Sequence, residues 1–577
     1  MLISLTIFAA VMLAFSAAAL KKDIFAERKI NFIYLSVVLF IVKILISTFI
    51  RGYESDLGCF SSWSDTVYTA GMGQFYQTAG FADYPPGYIY VLYVIAFIKN
   101  LFSLDSASTV YNILLKLPAI AADMLCAAVI YKFAREKTSE SKSITFALLF
   151  ALNPMVILNS SWWGQVDSVF TLFAILALIC LYKDKCELSA VFYALALLIK
   201  PQALIIFPVY LFYIFGLIKE HKLKGVGKAA VSALCGAAVF FLFVLPFSGG
   251  RPLSWVFELY KSTLGSYEYA SLNAPNLFSA FGGNAAGVHE KFLFMSYSTW
   301  SWIFICAAVV LSGFIYFKHG GIFPCASVLL AGTYVFGAKM HERYLFPVIA
   351  FIILCYICTN RRKLVYALFG FTFAAYEATA WVLALITKTG NSFIASKSPM
   401  FILLSFLSLA SFAVLIYSFC GKNEKKEKPV RNAKPIVRIK HERVRFDRKD
   451  AIICLVIAAV YAAAEFTALG NTYAPQTFEE FSDKRSVILS LDKTENITRI
   501  TAYNGRLPFE KDSEYNISFS TDGKTFKDAV PFSLKSVFKW EVLDVNESAR
   551  YIKLDYLYGD SVYIGEIGVF NGNDKLK

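Results

Sequence analysis

Charge is scarce in this chain. Only 17% of its 577 residues are Asp, Glu, Lys or Arg, 57% are hydrophobic, and the mean hydropathy is +0.54, which excludes a water-soluble globule of this length. The apolar runs lack period-two alternation, which excludes a membrane β-barrel. Cysteine forms no framework: the eleven are scattered, mostly in apolar runs, and residues 471–577 have none, so neither a disulfide scaffold nor a zinc site is indicated. Cys355 and Cys358 make a C-x-x-C inside an apolar run and read as helix core rather than a redox pair. The formal charge is +14, and half of it lies in residues 421–450, where twelve Lys or Arg face five acids. That stretch reads as a basic cytoplasmic linker near anionic headgroups, not as a nucleic-acid site.

What is present is a series of apolar runs of about twenty residues, each long enough to cross a hydrocarbon core of roughly 30 Å. In lipid such runs must be helical, because backbone groups can bond only within the segment. The expected spans are 2–20, 30–50, 109–133, 143–160, 168–183, 187–200, 202–218, 228–247, 299–317, 322–338, 344–359, 363–387, 399–420 and 451–469, about 14 in all. With both ends outside, the basic connections fall inside, as the bias of Lys and Arg requires. This parity holds only if residues 85–102 lie in the outer interface instead of crossing. The first run reads as an anchor in preference to a cleaved signal, since no cleavage site leads into a soluble domain.

Beyond residue 470 the grammar changes to short alternating stretches such as "SVILSL", "YNISFS" and "RYIKLDY", with a turn at Asp522-Gly523. They predict a small extracytoplasmic antiparallel β-sandwich over residues 475–577. The order "ITRITAYNG … YNISFSTDGKTF … ARYIKLDY … IGEIGVF" resembles discoidin-like, galactose-binding-like domains. It lacks their terminal cysteine pair. The resemblance implies either glycan binding or a structural role.

Ionisable residues near a membrane core are costly and usually functional, and here they gather at the outer ends of the expected spans. The first outer loop has Arg51, Glu54, Asp56, Asp65 and then "ADYPPGY" with Asp83 and Tyr84. "NSSWWGQVDS" brings Trp162, Trp163, Gln165 and Asp167; "IKPQ" brings Lys200 and Gln202; Arg251 lies in the long loop 248–298; and "GAKMHERYLFP" brings His341, Glu342 and Arg343. Each has a plainer reading. The Trp and Tyr residues fit an interfacial belt, Lys200 a snorkelling helix end, and Asp65 and Asp167 solvated acids or helix caps. Three consecutive ionisable residues between two apolar runs are harder to assign to structure alone.

An acid seven residues before Trp63, then "DYPP", "NP … GQVDS", "IKPQALIIFP" and "HERY", run in that order over residues 50–347. In this the chain resembles the GT-C superfamily of polytopic glycosyltransferases that use polyprenyl-phosphate sugars. Within it the chain is similar to dolichyl-phosphate-glucose glucosyltransferases and to bacterial mannosyltransferases related to those that build GPI anchors. The resemblance implies a GT-C-type transmembrane domain over 1–420, followed by the linker 421–450, a last span at 451–469 and the β domain. It also implies transfer of mannose or glucose from a polyprenyl-phosphate donor to a glycan or glycolipid acceptor at the outer face of a plasma membrane. Asp56 takes the place of the catalytic base, and Arg343, His341 and Lys200 bind the donor phosphate. Glu54, Asp83, Tyr84, Trp163, Gln165, Asp167, Gln202 and Glu342 bind substrate or support those that do. No cofactor is expected, with magnesium or manganese shared by Glu54 and Asp56 as the alternative. Two other classes stay open: a transporter or flippase of a lipid-linked glycan, against which the absence of internal repeats counts, and a non-catalytic assembly subunit.

Overall fold

The structure, a computed structural model, describes residues 2–22, 31–319, 321–389, 393–420, 479–481, 486–506, 513–534, 539–558, 562–572 and 574–576, with isolated positions between 448 and 459. The basic linker 421–450 and the expected span 451–469 therefore lie, apart from those positions, outside the described residues. Two compact units divide the chain: one takes in most of residues 1–469, the other residues 470–577 together with 105–111 and 382–392.

Among the described residues eight helices are long and apolar enough to cross a membrane: Phe32–Phe49, Thr109–Arg135, Pro201–His221, Leu223–Phe247, Tyr297–Lys318, Glu342–Thr359, Leu364–Ile386 and Pro399–Cys420. A ninth is possible if the pair Glu140–Ala151 and Pro154–Trp163, bent by 50°, counts as one. The expected fourteen are not met among the described residues. The expected first span falls on the helix Leu2–Lys22, and three others fall on shorter apolar helices, Asp167–Tyr182, Cys186–Ile199 and Ile322–Phe336. At 1.5 Å per residue a 16-residue helix is about 24 Å long, short of the roughly 30 Å core. The stretch expected to lie in the interface is the helix Pro86–Leu101.

Local sequence explains the breaks that shape the site. Asn31 caps Phe32–Phe49 by accepting the Ile33 N–H at 2.9 Å. That helix stops at Ile50, and Gly52, at φ +99°, turns the chain into the helix Glu54–Ala70, a conformation that favours glycine. The expected span 143–160 is interrupted at Asn153-Pro154, where Asn153 accepts the Met155 N–H at 3.0 Å and proline takes the first helical position. The chain then winds into a π-helical segment, Leu158–Trp163, ended by Gly164 in the left-handed region, a device common at functional sites.

In the second unit the strands are antiparallel, as expected, and among the described residues seven are joined in one hydrogen-bonded ladder. The order is Glu479–Phe481, Val562–Asn571, Ser486–Arg506, Lys539–Tyr558, Ser513–Ser520, Val530–Leu534, with Asp574–Lys575 paired to Val562–Asn571. The two long strands carry register shifts between Ser490 and Glu495 and between Ile497 and Arg499, which bend them. Alternate residues Tyr515, Ile517 and Phe519 pack with Ile552, Leu554 and Tyr556 in its core. The Asp522-Gly523 step makes its turn: Asp522 accepts the N–H groups of Thr525 and Lys524, which hold its carboxyl down to about 2, and Gly523 has φ +73°.

Candidate active site

Asp56 stands on the first turn of Glu54–Ala70 and is half-buried. Its Oδ2 accepts the indole N–H of Trp163 at 2.6 Å and the amide of Gln165 at 2.5 Å. Its Oδ1 accepts no hydrogen bond among the described residues, and the side chain lines a cavity of about 550 Å³. Gln165 is pinned in turn: its Oε1 accepts from Tyr84 and from Lys200, each at 3.1 Å. One carboxylate oxygen is thus held by donors from the end of the π-helical segment, and the other is left to the cavity.

Lys200 and Arg343 supply positive charge on the same cavity. Lys200 is buried and paired with Asp167 at 2.6 Å, whose second oxygen accepts from Asn159 at 2.9 Å. A buried cation needs such a partner. The Arg343 guanidinium reaches Glu342 at 3.1 Å and lies over the Trp163 ring, 5.2 Å from its centroid. Its Nε hydrogen has no acceptor among the described residues. Asp83 shares the cavity, and burial, then the charge of Asp56, holds its carboxyl above the usual carboxylate range.

The remaining residues sort by position. Tyr84 and Gln202 line the cavity, and the buried Oε1 of Gln202 has no partner among the described residues. Trp163 stands behind Asp56, and the buried Glu342 pairs with Arg343. Asp167 lies behind Lys200 on a small adjoining void shared with Gln202 and Tyr344. His341 is not on the wall of the cavity. Its backbone makes β-bridges to Leu272 and Asn273, and its ring sits edge-on to Tyr267, centroids 4.6 Å apart. Burial, then the charges of Arg343 and Lys200, pushes its imidazole well below the ordinary value. The ring that the resemblance implied as a phosphate ligand thus packs against Tyr267 and Tyr344, two residues of the cavity wall. The side chain of Glu54 lies outside the described residues.

Two acids of the outer clusters do not join the site as charges: Asp65 pairs with Lys99 at 2.7 Å, and Asp167 is consumed by Lys200. Arg251 stacks on Trp255 and donates to the Phe247 carbonyl. No group of three His, Cys, Asp or Glu that could hold a metal occurs among the described residues.

Away from Asp56 the cavity becomes apolar, walled by Leu204, Ile205, Trp302, Ile305 and Val309. Of these, Trp302 is 68% and Leu204 39% exposed. A charged head and an apolar tail on one cavity suit an amphiphile.

The sequence matches the family described as GPI transamidase subunit PIG-U over residues 53–278. It is 26% identical over 206 residues to the dolichyl pyrophosphate Man9GlcNAc2 alpha-1,3-glucosyltransferase of Gallus gallus, covering 32% of this chain and 41% of that protein. The chain thus spans about two fifths of the length of the curated relative it matches. Among solved structures, the Archaeoglobus fulgidus oligosaccharyltransferase aligns with 89% of this chain and 76% of its own, at 11% identity and a TM-score of 0.32. A pectin-binding carbohydrate-binding module aligns with 17% of this chain and 75% of its own, at 25% identity and a TM-score of 0.16. At these TM-scores neither likeness carries a functional conclusion. The matched family segment takes in Asp56, Asp83, Gln165 and Lys200 and ends before Arg343.

Proposed function

We propose that this polytopic membrane protein is a glycosyltransferase that moves a mannose or glucose from a polyprenyl-phosphate donor to a glycan or glycolipid acceptor, with inversion. One observation carries the reading: Asp56 presents a single uncommitted carboxylate oxygen to a cavity whose wall also carries Lys200 and Arg343 and whose remaining lining includes a set of apolar side chains. The likeness to a dolichyl-pyrophosphate-glycan glucosyltransferase supports it.

In this reading the polyprenyl chain lies along Trp302, Ile305 and Val309, and the phosphate meets Arg343 and the remaining N–H of Lys200. Asp56 Oδ1 takes the proton of the acceptor hydroxyl. The acceptor oxygen forms the new bond to the anomeric carbon from the face opposite the phosphate. The bond from that carbon to the phosphate oxygen breaks, and its electron pair leaves as polyprenyl phosphate. Negative charge grows on the phosphate as it departs, and the guanidinium stabilises it there. Asp83 and Gln202 are placed to meet sugar hydroxyls. The membrane is a bacterial plasma membrane, and the site and the β domain are extracytoplasmic.

The test is sugar transfer in isolated membranes from radiolabelled polyprenyl-phosphate mannose and glucose, with wild type and Asp56→Asn. Label reaching an acceptor in wild type alone supports the reading and names the sugar. Equal transfer by the variant overturns Asp56 as the base, and no transfer from either donor overturns the reading. The family match favours a second reading, a non-catalytic subunit that holds a lipid-linked glycan in the same cavity; donor binding without turnover would bring it forward.

A further inference from the structure

We propose that Lys116, which no motif marks, is a positioning residue for Asp56, tying together the two chain segments that carry the carboxylate and its donors. The link to catalysis rests on the transferase reading, but the tie itself is a matter of geometry.

Lys116 lies within the helix Thr109–Arg135 and is fully enclosed, at 0% exposure. Among the described residues it has no carboxylate partner. Its Nζ is instead 2.6 Å from the Ile50 carbonyl and 3.1 Å from each of the Ser161 and Trp162 carbonyls. All three acceptors stand at helix ends: Ile50 is the C-cap of Phe32–Phe49, and Ser161 and Trp162 close the π-helical segment. Carbonyls at such ends lack intrahelical partners and carry the negative pole of the helix. The nitrogen is thus a cross-link between two helix ends.

From each of these ends the chain leads directly to the site. On one side it runs from Ile50 through Gly52, where an added Cβ would stand 2.8 Å from the Trp163 carbonyl and 3.0 Å from Lys116 Cε, to Tyr53, whose N–H donates to that carbonyl at 3.0 Å. Asp56 comes three residues later. On the other side Trp162 is succeeded by Trp163 and Gln165, the two donors to Asp56. The base and both its supports therefore hang from short lengths of chain anchored at one nitrogen. Deeper in the bundle the same helices are joined independently, by Lys43 to Asp123 at 2.7 Å, by Ser160 to Asp123, and by Ser47 to the Ser161 carbonyl at 3.1 Å. Loss of Lys116 therefore frees the end nearest the site while the deeper contacts keep the helices packed. A displacement of about 1 Å at a catalytic group costs on the order of 100-fold in rate.

The experiment uses the full chain in membranes. Lys116→Met keeps the length and removes the donors. The expected result is a fall in kcat of at least about 30-fold, with donor KM within about two-fold of wild type and the folded amount retained. No further loss is expected when Lys116→Met is added to Asp56→Asn, because a residue acting through Asp56 has nothing left to position. A kcat within two-fold of wild type, or full additivity with Asp56→Asn, overturns the proposal. If Lys116→Met does not accumulate, Lys116→Gln, with two N–H groups for three carbonyls, is read by the same criteria. A second readout needs no activity: Cys59 lies on the same helix as Asp56 and lines the cavity, and its alkylation, measured by peptide mass spectrometry, should quicken several-fold in the variant. If wild type transfers no sugar, the transferase reading alone falls. An unchanged alkylation rate in folded Lys116→Met then overturns the tie as well.

Discussion

The indole N–H of Trp163 donates to Asp56 Oδ2 at 2.6 Å across 107 positions of sequence. The same ring carries the Arg343 guanidinium over its face and meets Tyr53 edge-on, centroids 5.0 Å apart. One side chain therefore orients the candidate base and seats the candidate phosphate-binding cation, and the two roles can be separated. Trp163→Phe keeps an aromatic face and loses the donor. A hydrogen bond to a charged group contributes about 1.5–3 kcal/mol, so kcat should fall about ten- to a hundred-fold with donor KM little changed. Trp163→Ala should also raise KM. Steady-state kinetics of the two variants distinguishes the roles.

Arg343→Lys retains a positive charge but replaces a planar fork with a point charge and removes the stacking on Trp163. Donor KM should rise by about ten-fold or more, and kcat should fall with it as stabilisation of the departing phosphate weakens. Titration of polyprenyl-phosphate-sugar binding and turnover by this variant checks both.

His341 gives a pH dependence with a definite sign. Its folded-state pKa lies well below the ordinary value of about 6.5, so the folded chain takes up this proton only at lower pH than the unfolded chain does. The stabilisation of the neutral ring is fully present above about 6.5 and is lost as pH falls below it. Melting temperatures measured from about pH 7.5 to about pH 5 should drop in wild type, and the drop should be smaller in His341→Phe, which keeps an aromatic ring against Tyr267 and cannot titrate.

Gly52→Ala should destabilise the first-loop turn. At φ +99° a side chain is strained, and the new Cβ would stand 2.6 Å from a Leu57 methyl and 2.8 Å from the Trp163 carbonyl. The cost should be about 1–3 kcal/mol, read as a lowered melting temperature. Because the turn delivers Asp56, turnover per folded molecule should fall too.

Transfer should be unaffected by EDTA if Asp56 acts as a base. Loss of turnover in EDTA that manganese restores would instead assign Asp56 to a metal site.

Much of this was legible in order along the chain. Long apolar runs demand helices in lipid, alternation after residue 470 demands strands, and the ionisable residues that interrupt the apolar pattern included Asp56, Asp83, Lys200 and Arg343, all on one cavity. Lys116 had a signal too, a lone cation inside an apolar run, but nothing nearby in sequence told what it faced. Fewer full-length spans than expected are found among the described residues, and hydropathy does not register where a helix breaks, as at Asn153-Pro154.

By itself, then, the sequence determined that the chain lives in a membrane, where its strands begin and which residue types are available for chemistry, because composition and period act locally. Only the tertiary structure decided which charges are spent on one another. Lys200 is bound to Asp167, Asp65 to Lys99, and the His341 ring packs against Tyr267 and Tyr344. Those pairings join residues from different helices, and burial makes each charge take the partner that packing brings within reach. The open oxygen of Asp56, with Arg343 on the same cavity, is what that settlement leaves, among the described residues, for a substrate.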